Sequence, residues 1–153
     1  MILIAALGQD RVIGKGDRLP WSIPEEYEHF RRSVRGATVI FGRRSHEIFG
    51  PDLTESTQVV VTRSPESVTG QLTATSVEEA HELALSRGAP VFCAGGAAIY
   101  EACLPLATEM HLSFIEGEHD GDVFFPEFDE ADWVAARREP RDGWELVLYR
   151  RKV

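Results

Sequence analysis

Lysine and cysteine are nearly missing from this sequence, and it has no long apolar run. Only Lys15 and Lys152 are lysines, so the 16 basic residues are otherwise arginines. Set against 25 acidic residues they leave a formal charge of −9. Such a surface repels phosphate backbones and argues against a nucleic-acid partner. A small anionic ligand stays compatible, because a few arginines can build a local positive pocket on an acidic protein. Cys93 and Cys103 lie in the apolar segments Val91-Phe92-Cys93-Ala94 and Ala102-Cys103-Leu104. Two such thiols suit neither a disulfide framework nor a zinc site, and they read as buried free thiols in a reducing compartment. His29, His46, His81, His111 and His119 lack metal-binding spacing, so no metal is expected. Met1 to Leu7 is apolar but short and without a basic leader, which reads as a first core strand and not a secretory signal. No other run approaches the roughly 18 apolar residues of a membrane span. A soluble, cytoplasmic protein without a membrane partner is expected.

What is present suits an ordinary globular chain: 153 residues, 43% hydrophobic and 27% charged. That is enough for one domain over residues 1–153 around a single core. After the first strand, Gly14, Gly16, Asp17, Pro20 and Pro24 break regular structure, and residues 8–23 read as a long loop. Loops of that length in a compact domain tend to be functional. Pro24-Glu25-Glu26 opens a helix, with proline in the first turn and acids complementing the helix dipole. Ile23, Tyr27, Phe30 and Val34 give it an apolar stripe to about residue 35. Strands are predicted over 37–41, 58–62, 72–75, 89–94 and 109–115, with helices over 44–49, from Ser76 to about 87, and 97–103. Ser76 and Glu79 form a capping box. An acidic turn over 116–122 leads to two more strands, 133–137 and 144–151. Alternating apolar strands and helices indicate an α/β fold: a mainly parallel sheet of about eight strands, covered by helices on both faces, with an antiparallel C-terminal edge.

Three constellations carry chemistry. Glu26 sits at the rim of the apolar helix stripe, one turn before Phe30, whereas Glu25 and Glu28 point to solvent. Spacing alone is equally consistent with a solvated helix-start acid. A carboxylate in an apolar cleft would instead pair with an amidine-like ligand edge, with a movable pKa. Gly95-Gly96, between a strand and a helix, is either a plain turn or a place where backbone N–H groups approach a phosphate. It lacks the Rossmann glycine order. Gly42-Arg43-Arg44-Ser45 and Thr62-Arg63-Ser64 close two strands, where ligands sit in parallel α/β sheets. These arginines would favour a 2′-phosphorylated dinucleotide, or they are simply surface residues of an arginine-rich chain. Trp21 and Phe30 either stack on a flat ligand or fill the core.

Taken in order, these segments resemble one family. Ile4-Ala5-Ala6-Leu7, Arg11-Val12-Ile13-Gly14, Leu19-Pro20-Trp21 and Pro24 are similar to the first strand and mobile loop of the dihydrofolate reductases. Phe30-Arg31, Val39-Ile40-Phe41-Gly42-Arg43, Ala94-Gly95-Gly96, Ile99-Tyr100, Gly121-Asp122 and Phe125-Pro126 extend the likeness over essentially the whole chain. The resemblance implies a monomeric, NADPH-dependent reductase of one-carbon metabolism that turns 7,8-dihydrofolate into tetrahydrofolate. It implies that Glu26 binds the pterin 2-amino group and N3, supported by Ser113, with Leu19 and Trp21 of the loop completing the catalytic group. It implies substrate contacts from Ala6, Tyr27, Phe30, Arg31, Phe49 and Ile99. Cofactor contacts are implied for Ala5, Ile13, Leu19, Gly42, Arg43, Arg44, Ser45, Thr62, Arg63, Gly95, Gly96 and Tyr100, with a cis peptide joining Gly95 to Gly96.

Two positions depart from the pattern. Ser56 stands where the family usually has an arginine gripping the glutamate tail, so Arg31 or Arg35 is the expected substitute, or the substrate is an unconjugated pterin. Ala98 replaces an arginine near the cofactor phosphates, leaving that task to Arg44 and Arg63. Rival expectations are a same-fold reductase of another heterocycle, such as a riboflavin-pathway pyrimidine, and a binding module without turnover.

Overall fold

The computed structural model describes residues 1–153. Its elements run β1 (Ile2–Leu7), β2 (Val12–Gly14), α1 (Pro24–Val34), β3 (Thr38–Gly42), α2 (Arg43–Phe49), β4 (Thr57–Val61), β5 (Leu72–Ala74), α3 (Val77–Leu85), β6 (Val91–Cys93), α4 (Ala97–Cys103), β7 (Glu109–Ile115), β8 (Val123–Phe124), β9 (Trp133–Pro140) and β10 (Trp144–Arg151). Eight strands make one sheet in the order β5-β4-β3-β6-β1-β7-β10-β9. The strands from β5 to β7 are parallel neighbours, while β10 is antiparallel to both β7 and β9. The expected antiparallel edge is therefore sharpened. The reversed strand is β10, one in from the margin, and β9 at the margin regains the direction of the parallel block.

Strand alternation divides the core between the two faces. Leu3 and Ala5 of β1 pack with Tyr100 and Cys103 of α4, and Ile40 and Val59 with Ala80 and Ala84 of α3. On the opposite face, Ile4, Val39, Phe41 and Val60 pack with Val34 of α1, Phe30 and Phe49. Both cysteines are free and buried, as expected. No helix is long and apolar enough to cross a membrane.

The predicted loop over residues 8–23 holds more structure than its composition suggests. A 3-10 turn at Gln9–Arg11 is followed by β2, which pairs antiparallel with β8. The Gly121 backbone passes so close to β2 that an added Cβ would lie 2.4 Å from the Gly14 carbonyl oxygen. Only glycine permits that approach. β2 and β8 lie between the breakers Gly8 and Gly14, and Gly121 and Pro126, which mask strand signals this short.

Candidate active site

The carboxyl ends of β1 and β6, with α1, α2 and the start of α4, enclose a cavity of about 260 Å³. Small residues form its floor, Ala5 and Ala6 from β1 and Ala94, Gly96 and Ala97 beyond β6. Tyr27, Phe30, Ile48 and Phe49 make one wall, and Ile13, Leu19 and Val123 approach from the loop side. The Phe30 and Phe49 rings meet edge-on with centroids 5.7 Å apart, a geometry that stabilises beyond area burial.

One buried acid faces this cavity. Glu26 is 6% exposed, whereas Glu25 is exposed and Glu28 pairs with Arg31 at 2.9 Å on the outer face. Pro24 in the first turn of α1 sets the helix phase that turns Glu26 inward. Burial raises its carboxyl above the ordinary glutamate value, and the Ser113 hydroxyl from β7 partly offsets this. The other acid of the cavity lining, Asp17, lies at the mouth with its side chain 71% exposed.

At the far end a glycine turn and several arginines gather. The Gly95–Gly96 peptide is cis, and Gly95 has φ +93°, where an added Cβ would meet the Tyr100 ring at 2.8 Å. Tyr100 is pinned beneath it by donating to the Ile4 carbonyl at 2.7 Å, and the Gly42 N–H donates to the Gly95 carbonyl at 2.8 Å. Arg44 and the buried Ser45, in the first turn of α2, line the cavity. Asp17 crosses from the loop to Arg44 at 2.9 Å. One residue earlier the Gly16 N–H donates to Asp122 Oδ1 at 2.9 Å.

The cavity thus brings together Ala5, Ala6, Ile13, Leu19, Glu26, Tyr27, Phe30, Arg44, Ser45, Phe49, Gly96 and Tyr100 of the expected site. Ser113, 2% exposed, stands behind Glu26. Gly42 and Gly95 support the turn from below, and Trp21 is buried against Gly8 and His119. Arg43 is held by Glu47 at 3.5 Å and Ser67 at 3.4 Å, and Thr62 and Arg63 follow β4; none of the three lines the cavity. Two expected substrate contacts also lie off this lining. Ile99 does not line the cavity; it sits about 100° around α4 from Tyr100 and packs 3.3 Å from a Cβ built on Gly42. Arg31 also lies outside, held by Glu28 and the Asp52 carbonyl. Ser56 donates to the Val34 carbonyl at 2.8 Å, and Arg35 pairs with Glu55 at 2.5 Å.

Sequence reasoning missed Ile4, Ile48, Ala94, Ala97, Val123 and the loop residues Gly14, Gly16, Asp17 and Arg18. Ile48 was within reach, being one turn after Arg44 on the same helix face. Val123 was not, because only the β2–β8 pairing brings it to the cavity.

Comparison with known proteins agrees with this geometry. The sequence profile described as Dihydrofolate reductase matches residues 1–147. The chain is 34% identical to dihydrofolate reductase HdrB of Haloferax volcanii, covering 99% of this chain and 83% of that protein. It is 31% identical to the dihydrofolate reductase of Bacillus subtilis, covering 97% and 93%. Its fold superposes on dihydrofolate reductase from Enterococcus faecalis, complexed with NADP(H) and RAB-propyl, with TM-score 0.89, 28% identity and coverage of 99% and 96%.

Proposed function

The chain belongs to the dihydrofolate reductase family, and on that premise we propose that it reduces 7,8-dihydrofolate to tetrahydrofolate with NADPH, using Glu26 as the acid that holds the pterin. The observation that carries the reading is a single buried carboxylate at the closed end of an apolar cavity.

A carboxylate there is poorly solvated, so it gains most from an amidine-like edge that supplies two donors. The pterin 2-amino group and N3 form such an edge. With Tyr27, Phe30 and Phe49 against its faces, the ring is held flat. Tyr27 keeps its place because its hydroxyl donates to Asp52 Oδ2 at 2.6 Å; burial first, and then Asp52, push that phenol above its ordinary range.

The residues at the far end suit a phosphorylated dinucleotide. Gly96 and Ala97 leave the floor open to a flat ring. Ser45, Arg44 and, outside the lining, Arg43, Thr62 and Arg63 present hydroxyls and guanidiniums at strand ends, a donor set matched to phosphate. NADPH, when bound, supplies the hydride that reaches pterin C6. The chain's own part is alignment, exclusion of water and placement of a proton at N5. Glu26 is the one buried acid of the lining. Water admitted beside Leu19, 36% exposed at the rim, completes the transfer while Glu26 raises the basicity of the ring. Closure of the loop bearing Leu19 and Trp21 then holds the two rings at attack distance. The cavity is complete within one chain, which supports a monomer as the working unit. Two buried free thiols support a reducing, cytoplasmic setting.

A second reading, a substrate without a glutamate tail, is favoured by the rim. Ser56 is turned to the backbone, and Arg31 and Arg35 are already paired with acids. The test is NADPH oxidation followed at the nicotinamide absorbance band, with dihydrofolate and with unconjugated dihydropterin. Turnover of dihydrofolate, with a higher KM in Arg31→Ala or Arg35→Ala, supports the first reading. A kcat/KM that favours the unconjugated pterin supports the second, and a failure of both substrates overturns the assignment.

A further inference from the structure

Helix α1 meets the sheet twice, and only the first meeting belongs to the cavity. There Glu26 faces Ser113. Three residues later along α1, His29 enters the same interface; two residues earlier along β7, on the same face as Ser113, lies His111. Trp144 of β10, opposite Ile115 and so on the other side of Ser113 from His111, packs on His29 with ring centroids 5.5 Å apart. Three buried nitrogens here, His29 Nε2, His111 Nε2 and Trp144 Nε1, have no protein hydrogen-bond partner. Glu109 Oε1 lies 3.6 Å from His111 Nε2, beyond hydrogen-bond reach.

Neutral rings fit this interface and charged rings do not. Arg32 of α1, Arg141 ahead of β10 and His111 itself oppose a proton on His29, with Glu139 of β9 alone favouring it. Arg141 and Arg137 both already pair with Glu139, at 3.5 and 3.1 Å, and Arg141 lies 5.8 Å over the Trp144 ring. Around His111 only Glu109 favours the charge, against burial beside Phe92. We propose that His29 and His111 are positioning residues for Glu26: as neutral rings they seat α1 on β7 and β10, and protonation of either displaces the helix and the carboxylate it carries. The catalytic consequence rests on the reading of Glu26 given above; the coupling of histidines to helix does not.

Burial first, and then the facing charges, hold His29 below its ordinary value of 6.5, and burial, opposed by Glu109, does the same for His111. The unfolded chain therefore binds more protons than the folded one just below pH 6.5. Stability from this pair is present above that pH and is lost as pH falls toward the folded values. Glu26 has the opposite sign, because its raised carboxyl takes up a proton more readily in the folded state.

The test follows histidine ring nitrogens and α1 backbone amides by NMR in the NADPH complex, from about pH 7.5 to about pH 5. Recording wild type beside Glu26→Gln removes the acid's own titration. Both rings are expected to titrate below 6.5, with the amides of residues 26–30 shifting at the same midpoint. Rings that titrate at the ordinary value, or α1 amides that stay still, overturn the proposal. Kinetics give a second readout. On acidification across the same range, KM for dihydrofolate should rise about fivefold in wild type and by less than about twofold in His29→Gln/His111→Gln, with little change in kcat. Equal rises in the two proteins overturn it. Single variants replace the double if it does not fold. Amides that move at constant KM would leave the histidine–helix coupling standing and overturn the reading of Glu26 instead.

Discussion

The two ends of the cavity are built on opposite principles. At the closed end one carboxylate, 6% exposed, is surrounded by aromatic rings and backed by a single hydroxyl from another strand. At the open end Arg44 and Asp17 keep side-chain exposures of 75% and 71%, and Arg43 adjoins Arg44 in the first turn of α2. Electrostatic interactions are weakly screened at the first and strongly screened at the second. In the proposed reading, chemistry is therefore concentrated in one group at the closed end. At the open end, binding is spread over several groups, none decisive alone. A family member can lose an arginine at the open end, as Ala98 suggests, but has no substitute for the acid.

Breaking the closed end should have the largest effect. Glu26→Gln should lower turnover at neutral pH by roughly a hundredfold or more, with NADPH affinity within about twofold in a fluorescence titration. The same variant sharpens the electrostatic side of the contrast. A raised folded pKa gives stability that is present below the ordinary value of 4.5 and lost as pH rises through the folded value. Glu26→Gln should therefore melt above wild type at pH 7, each kcal/mol adding about 2–4 °C in a domain of this size, and the advantage should vanish near pH 4.5.

The glycine turn comes next. In Gly95→Ala a Cβ would be forced 2.8 Å from the Tyr100 ring at φ +93°. A loss of about 1–3 kcal/mol in denaturant unfolding is expected, together with weaker NADPH binding. The open end should yield least. Arg44→Ala should raise the NADPH Kd by roughly tenfold and flatten its salt dependence. Asp17→Asn, which frees Arg44, should tighten it by no more than about threefold, since exposed ion pairs are worth about 0–1 kcal/mol. Calorimetry in low and high salt measures both. A large effect of Asp17→Asn would erase the distinction between the two ends.

The same division governs what was legible in the sequence. The helix stripe of Ile23, Tyr27, Phe30 and Val34, the glycine pair and the parallel sheet were readable because each is a local pattern of adequate length. The burial of Glu26 was not decided by spacing, because it depends on β7, which brings Ser113 in from far along the chain. The β2–β8 pairing was masked by the glycines and proline around two short strands, and with it the approach of Val123. The different placement of Ile99 and Tyr100 has a smaller cause. One residue along a short helix separates a side chain packed against Gly42 from Tyr100, which faces the cavity.

The central claim is that Glu26 is a desolvated acid waiting for a two-donor ligand edge, and a carboxyl 13C titration of selectively labelled glutamate tests it directly. Without pterin, Glu26 should titrate above 4.5 and higher still in Ser113→Ala, which removes the one group that lowers it. A bound pterin should pull the midpoint down. A carboxyl that titrates at or below the ordinary value, and does not respond to the pterin, would contradict the claim.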